Sequence, residues 1–222
     1  MYRVLYLNSI ALFLISNFIL AVYAEEKWKL IKEDDGVRIY NKKIKGIKYN
    51  QMKAECIMDV PLEVVGEVIL DIRSYPDWMP QMTTSVHILK FDHYRFIFYQ
   101  VIDFPWPLSK RDMVVECDCI MDYEKNKYLY RFWARKDTIV PKKKDHVRID
   151  NLTGFWDYTR MGSNKTLVIL NQISDPGGII PSSIVNWFGY KMPLKMMKNL
   201  REHVKKPLYM QMAKERYGDK VY

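Results

Sequence analysis

The alternation of apolar and polar residues over residues 111–121 limits the possible folds more than any other feature of this sequence. Met113 and Val115 fall on one side of an extended chain and Glu116 on the other, a period of two that is typical of a strand with one buried face. Similar runs predict further strands over residues 36–40, 52–58, 86–91, 94–102, 128–133, 146–158 and 166–174. Because short turns join consecutive strands, we expect them to pair antiparallel.

Two helical stretches accompany these strands. Pro61 begins a short apolar helix that ends near Asp71, and Pro181 begins a longer one that continues to about residue 206. Pro193 should kink or interrupt the longer helix, because proline removes a backbone donor. The segment 74–80 is too rich in proline for regular structure.

The order of these elements predicts an α+β fold. A sheet with this many strands curls, and its concave face has to be covered. The C-terminal helix is the predicted element that is long enough to cover it. We therefore expect a curved antiparallel sheet wrapped around a long C-terminal helix, with an apolar cavity wherever the facing side chains do not fill the space between them.

The first 24 residues have the order of a secretory signal peptide: a positive start at Arg3, an apolar run over 4–20, small residues up to Ala24 and then charged residues. An uncleaved membrane anchor is the alternative, because the apolar run is near the lower limit for spanning a bilayer. We expect a signal peptide over 1–24, one folded domain over 25–206 and a basic C-terminal tail over 207–222. The expected destination is the periplasm or the extracellular space.

The formal net charge of +9 falls to +8 without this leader, which carries one arginine and no acidic residue. Basic residues are dense in two places, 142–144 and 191–206, and are otherwise spread along the chain. Since export argues against nucleic acid, transient contact with a membrane surface, favoured by anionic lipids, is the expected use of this charge.

Three cysteines, Cys56, Cys117 and Cys119, are interpreted as small buried apolar residues. A disulfide from Cys56 is the alternative. Cys117 and Cys119 are two residues apart on one face of a strand, which puts their Cα atoms about 7 Å apart, at or beyond the reach of a disulfide. The four histidines are isolated in sequence. No metal or other cofactor is expected.

Four segments, in this order along the chain, resemble the START (StAR-related lipid-transfer) domain family. They are Trp28 with Asp35-Gly36-Val37, then Tyr75-Pro76-Asp77-Trp78, then residues 105–112 (PWPLSKRD), and finally residues 175–181 (DPGGIIP) with 184–187 (IVNW). The resemblance spans about residues 27–206. It implies a helix-grip fold whose tunnel holds one lipid, such as a sterol, a phospholipid or a ceramide, and it implies transfer or sensing in place of covalent chemistry.

Arg111 is the most informative position in these segments. Alternation places it on the apolar face of its strand, where an arginine needs a partner, and several START domains carry a buried arginine at the matching position. Asp103 is the candidate partner, and a structural ion pair that never touches ligand is the alternative. Asp112 lies on the opposite face and is expected to hold the loop. Arg148 lies within a strand, and its side chain either lines the tunnel, forms a cross-strand pair or points into solvent.

Large apolar side chains are expected to form the wall of the tunnel, although each could be ordinary core. The full predicted ligand-binding set is Arg111, Asp103, Tyr99, Phe98, Trp106, Trp133, Arg148, Trp156, Ile184, Phe188, Met192 and Met196. The loop 104–108 is interpreted either as a packed lid or as a tip that touches the membrane.

A monomeric lipid carrier is thus the leading interpretation. A cyclase-like or hydrolase-like enzyme on the same scaffold is the first alternative, with His146 and Asp150 on one strand face as its sole hint. The second alternative is an adaptor or receptor that binds a membrane partner through residues 205–222.

Overall fold

Ten strands in the described part of the chain form one sheet. The computed structural model describes residues 27–47, 49–136, 139–181, 184–185, 187–218 and 221. The strands are β1 (Lys29–Asp34), β2 (Val37–Lys42), β3 (Gln51–Met58), β4 (Met82–Lys90), β5 (Arg95–Ile102), β6 (Lys110–Asp122), β7 (Lys127–Ala134), β8 (His146–Arg148), β9 (Asn151–Gly162) and β10 (Lys165–Asp175). Their order is β1-β2-β3-β10-β9-β7-β6-β5-β4, with antiparallel neighbours, while β8 pairs in parallel with β6.

Within the described ranges, the helices lie between β3 and β4 and after β10. The helix α1 (Leu62–Leu70), a 3₁₀ turn (Ile72–Ser74) and α2 (Tyr75–Trp78) connect β3 to β4. After β10, a π-helix (Trp187–Lys191) leads into α3 (Met192–His203), and α4 (Pro207–Tyr217) follows. Among the residues described, no helix is both long enough and apolar enough to cross a bilayer.

The sheet curls around α3. Asn41 of β2 and Phe98 of β5 line the same cavity, although their strands lie near opposite ends of the sheet. The helix α3 contacts β2 and β3 and buries Met197 and Leu200 completely. The predicted helix-grip fold of the α+β class is therefore confirmed.

The expected strand over 146–158 is two strands. Backbone pairing holds Arg148 of β8 beside Asp112 of β6, and the chain then crosses over so that β9 pairs with β7 and β10. The strand β1, which the sequence analysis did not predict, forms a hairpin with β2 at the edge of the sheet.

The segment 74–80 contains a short helix despite its prolines. Pro76 lies in the first turn of α2, where a backbone N–H has no helical partner to lose. The rings of Tyr75 and Trp78 are buried and meet edge to face with centroids 5.1 Å apart. The expectation of irregular structure was wrong because tertiary burial stabilises this turn.

The C-terminal region agrees with prediction at Pro193 and differs from it after residue 206. Pro193 lies in the first turn of α3, directly after the π-helix, so the predicted interruption is present. Residues 207–217, expected as part of a basic tail, form α4, which packs on α1 and buries Tyr209 and Ala213. Arg216 Nε lies 2.7 Å from Oε1 of Glu67, which is 1% exposed. Because a buried carboxylate needs a partner, this pair helps to hold α4 against α1.

The three cysteines are free thiols. Cys56 and Cys117 are buried, and Cys119 is half-buried. Burial raises the pKa of each thiol to about 12, so they are protonated apolar groups at neutral pH. The interpretation of Cys56 and Cys117 as buried apolar residues is confirmed.

Candidate ligand-binding cavity

A cavity of about 420 Å³ lies between the sheet and α3. Its volume is within the range of about 300–1,000 Å³ that is usual for small-molecule sites. Most of its wall is apolar, with Met52, Met113, Val115 and Leu170 from the sheet and Met79, Pro80 and Tyr190 from the connecting segments and the π-helix.

Five of the predicted ligand-binding residues line this cavity: Phe98, Trp156, Phe188, Met192 and Met196. Two of them are strand residues that face inward by alternation, and the other three belong to the π-helix and α3. That they contact ligand stays a prediction.

Tyr99 follows Phe98 in β5 and therefore points to the other face of the sheet. It belongs to a separate buried cluster with Ile97, Val101 and Val114. Its hydroxyl donates to Oδ2 of Asp112 at 2.9 Å. Tyr99 thus lies outside the described lining of the cavity.

Asp112 and Arg148 form a buried ion pair next to Tyr99. Arg148 donates from Nε to Oδ1 and from Nη2 to Oδ2, both at 2.9 Å, and the two side chains are 3% and 1% exposed. Burial opposes ionisation of Asp112, but the hydrogen bonds from Arg148 and Tyr99 outweigh it and hold the pKa of this carboxyl below its usual range. The cross-strand alternative for Arg148 is the observed one. Because Arg148 also donates to the carbonyl of Val140, this pair holds the segment before β8; that Asp112 holds the loop before β6 stays a prediction.

Arg111 is buried beside the cavity and connects two loops that border it. Its guanidinium donates from Nη1 to the carbonyl of Ser109, from Nε to that of Pro176 at 3.2 Å and from Nη2 to that of Gly177 at 3.3 Å. Its Cζ lies 4.1 Å from the centre of the Phe104 ring. Both Phe104 and Pro176 line the cavity, so Arg111 joins two parts of its wall.

The turn that meets Arg111 depends on two glycines. Gly177 and Gly178 have φ angles of +68° and +69°, which other residues adopt only with strain. A Cβ on Gly177 would also lie 2.9 Å from Val147. These glycines allow the carbonyls of residues 176 and 177 to reach the guanidinium.

Asp103 is not the partner of Arg111. Its Oδ1 lies 3.1 Å from Nζ of Lys110, and both of these side chains are more than one-third exposed. The carboxylate is at the surface, whereas Arg111 is 2% exposed. Carbonyls, which are neutral acceptors, satisfy Arg111 in place of the expected acid.

Three further predicted residues lie outside the described lining. Trp106 is 93% exposed at the tip of the loop after β5. Trp133 faces a shallow groove with Phe155 on the other side of the sheet, and Ile184 is half-buried before the π-helix.

The sequence analysis missed a set of uncharged polar residues that line the cavity. They are Asn41, Asn50, Gln100, Gln172 and Ser174. Their signal was present, because Asn41 continues the buried face of Val37 and Ile39, and Gln172 that of Val168 and Leu170. A polar residue at the apolar register of a strand marks a position facing the interior.

A curled sheet closed by a C-terminal helix over an apolar cavity defines a protein of the helix-grip class. The START domain model matches residues 17–208, and the chain belongs to this family. It is 28% identical over 181 residues to an uncharacterized protein of Pseudomonas aeruginosa, covering 82% of this chain and 88% of that one. It is 24% identical over 167 residues to the phosphatidylcholine transfer protein of Rattus norvegicus, covering 72% and 75% of the two chains.

Among solved structures, the chain resembles a STAR-related lipid transfer protein from Xanthomonas axonopodis with a TM-score of 0.73. The sequences are 26% identical, and the match covers 81% of this chain and 99% of that fragment. Lipid-transfer proteins are therefore among the relatives of this chain.

Proposed function

We propose that this protein is an exported carrier that holds one lipid in its cavity, passes it to or from a membrane, and does no covalent chemistry on it. The observation that carries this proposal is the apolar cavity of about 420 Å³ that lies between the sheet and α3. The similarity of the chain to lipid-transfer proteins supports the same conclusion.

The energy of binding comes from burial of the lipid chain. Each buried CH₂ group contributes about 0.8 kcal/mol, so a dozen supply roughly 10 kcal/mol before the entropic cost of association. The adaptable side chains of Met192 and Met196 suit a flexible guest. No acid–base or nucleophilic group is needed for such binding, and the described lining contains no Asp, Glu, His, Cys or Lys.

Contact with a membrane is proposed for the two loops that Arg111 joins. Trp106 and Ile179, one on each loop, are 93% and 94% exposed. Exposed apolar side chains of this kind favour the boundary between water and lipid. Both loops border the cavity through Phe104 and Pro176, so a lipid could pass there without crossing open water.

Export is proposed from the order of residues 1–24, with the periplasm or extracellular space as destination. Fractionation of the native host, with determination of the N-terminus of the purified protein, tests this part. Recovery in the cytoplasm with residues 1–24 intact would contradict it.

The carrier proposal is tested by purifying the protein from its native host and identifying the co-purified lipid by mass spectrometry. We expect one lipid molecule per chain, unchanged after incubation, and movement of that lipid between donor and acceptor vesicles. Chemical conversion of the bound lipid would support the enzyme alternative, and an absence of lipid together with an absence of transfer would refute the carrier.

A further inference from the structure

One wall of the cavity carries four uncharged polar side chains. Asn41 of β2 and Gln172 of β10 are both register partners of Met52 in β3, so they flank it on either side in one row of the sheet. Since neighbouring strands are about 4.8 Å apart, the two residues are roughly 10 Å apart. Ser174 lies two residues further along β10, and Asn50 lies two residues before Met52, ahead of β3. All four line the cavity; Asn41, Gln172 and Ser174 are half-buried, and Asn50 is exposed.

These four side chains make no hydrogen bond within the part of the chain that the structure describes. Among the other polar groups of the wall, Gln100 and Tyr75 are engaged within the protein, whereas the hydroxyl of Tyr130 in β7 is buried without a partner in the described part of the chain. The amide of Gln100 donates to Sδ of Met82 at 3.4 Å, and the hydroxyl of Tyr75 donates to the carbonyl of Ile69 at 2.6 Å. Four side chains without partners among the described residues, three amides and one hydroxyl, therefore lie together on the β2-β3-β10 side, and a bound molecule can use them.

The described lining residues of this wall are uncharged. No described lining residue is an Asp, Glu, Lys, Arg or His. The neighbouring Arg111 uses each of its three guanidinium nitrogens on a backbone carbonyl. An ionised group placed in such a cavity would lose its hydration without gaining a counter-charge, which is costly.

We propose that Asn41, Asn50, Gln172 and Ser174 form a headgroup site for an uncharged lipid. The ligand carries hydroxyl, ester or amide groups, which these side chains pair by hydrogen bonds, and the cavity discriminates against phosphate-bearing headgroups. This inference rests on the proposed lipid-binding function and names its ligand class. The rat relative's name refers to phosphatidylcholine, so the chain is proposed to differ from it in headgroup.

The first test compares lipids that differ only in headgroup. A fluorescent diacylglycerol is bound to the purified full chain, and unlabelled diacylglycerol, phosphatidylcholine and phosphatidylglycerol with the same acyl chains compete for it. We expect diacylglycerol to compete at least about tenfold better than either phospholipid. Equal or better competition by a phospholipid would overturn the headgroup assignment and leave the carrier function standing. Failure of every lipid to bind would refute the carrier function itself.

The second test removes the hydrogen-bonding groups. Gln172→Leu and Asn41→Leu keep much of the side-chain volume and should each weaken diacylglycerol binding about fivefold or more, because a ligand group is left unpaired. Asn171→Leu is the matched control in the same strand: its side chain faces the other side of the sheet, where it accepts a hydrogen bond from Gln51 at 2.7 Å. The control should bind like the wild type.

Diphenylhexatriene, which has no headgroup, shows whether a variant retains its fold and cavity. Its affinity should be the same in the wild type, Gln172→Leu and Asn171→Leu. If Gln172→Leu and Asn41→Leu bind diacylglycerol as the wild type does, or lose both probes equally, the headgroup site is refuted.

Discussion

Replacing Arg111 by methionine should destabilise the protein by roughly 3–4 kcal/mol. The substitution keeps an apolar stem and removes the guanidinium that joins the carbonyls of Ser109, Pro176 and Gly177. Hydrogen bonds from a charged donor contribute about 1.5–3 kcal/mol each, and neutral ones about 1 kcal/mol. Because two of these bonds are 3.2 and 3.3 Å long, we count about 1 kcal/mol for each of them and about 1.5–2 kcal/mol for the third.

Urea denaturation measures this loss as a lower midpoint at unchanged slope. For a chain of this size the melting temperature should fall by about 6–16 °C. Arg131→Met is the control, because Arg131 pairs with Asp118 on the surface and such pairs contribute about 1 kcal/mol or less. A loss no larger than that of the control would refute the reasoning. A stable variant that no longer binds lipid would instead show that Arg111 contacts the ligand.

Three further perturbations test other parts of the molecule. Gly189 lines the cavity, and an added Cβ there would meet no atom within 4 Å. Gly189→Leu should therefore displace two or three methylene groups of the lipid and weaken lipid binding roughly 10- to 50-fold. Gly162→Leu, at an equally open site away from the cavity, should leave lipid binding in the competition assay unchanged, and equal effects of the two substitutions would contradict the prediction. Asp112→Asn should lower the free energy of unfolding by about 3 kcal/mol at neutral pH because it breaks a buried ion pair. Since the pKa of Asp112 is lowered in the folded state, the extra stability of the wild type should be full above the ordinary Asp pKa of about 4 and should shrink as the pH falls through the lowered pKa. Urea titrations at pH 7 and pH 3 measure this difference, and a wild-type stability advantage that grows in acid would contradict the prediction. Trp106→Ser should slow lipid transfer between vesicles while changing the unfolding free energy by less than about 0.5 kcal/mol, and an unchanged transfer rate would remove Trp106 from the membrane-contacting surface.

The sequence predicted the parts of the fold that depend on local periodicity. Helical spacing placed Met192 and Met196 among the apolar positions of the last helix, whereas Phe98 and Trp156 were predicted as large apolar strand residues without a choice of strand face. Alternation reports which side of a strand is buried. In β5 this pattern separates the inward-facing Phe98 from its neighbour Tyr99, and in β2 and β10 it marks the inward-facing polar positions Asn41 and Gln172.

Only the tertiary structure decided which distant residues meet. Arg111 donates to carbonyls 65 and 66 positions away in the chain, and Glu67 pairs with Arg216 across 149 positions. Neither the neutral partners of Arg111 nor the packing of α4 on α1 could therefore be predicted from the spacing of residues in the sequence. The cavity itself has the same origin. A pattern states which side chains point inward, but the space left between them depends on how far the sheet curls and where α3 lies against it, which is a sum over many long-range contacts.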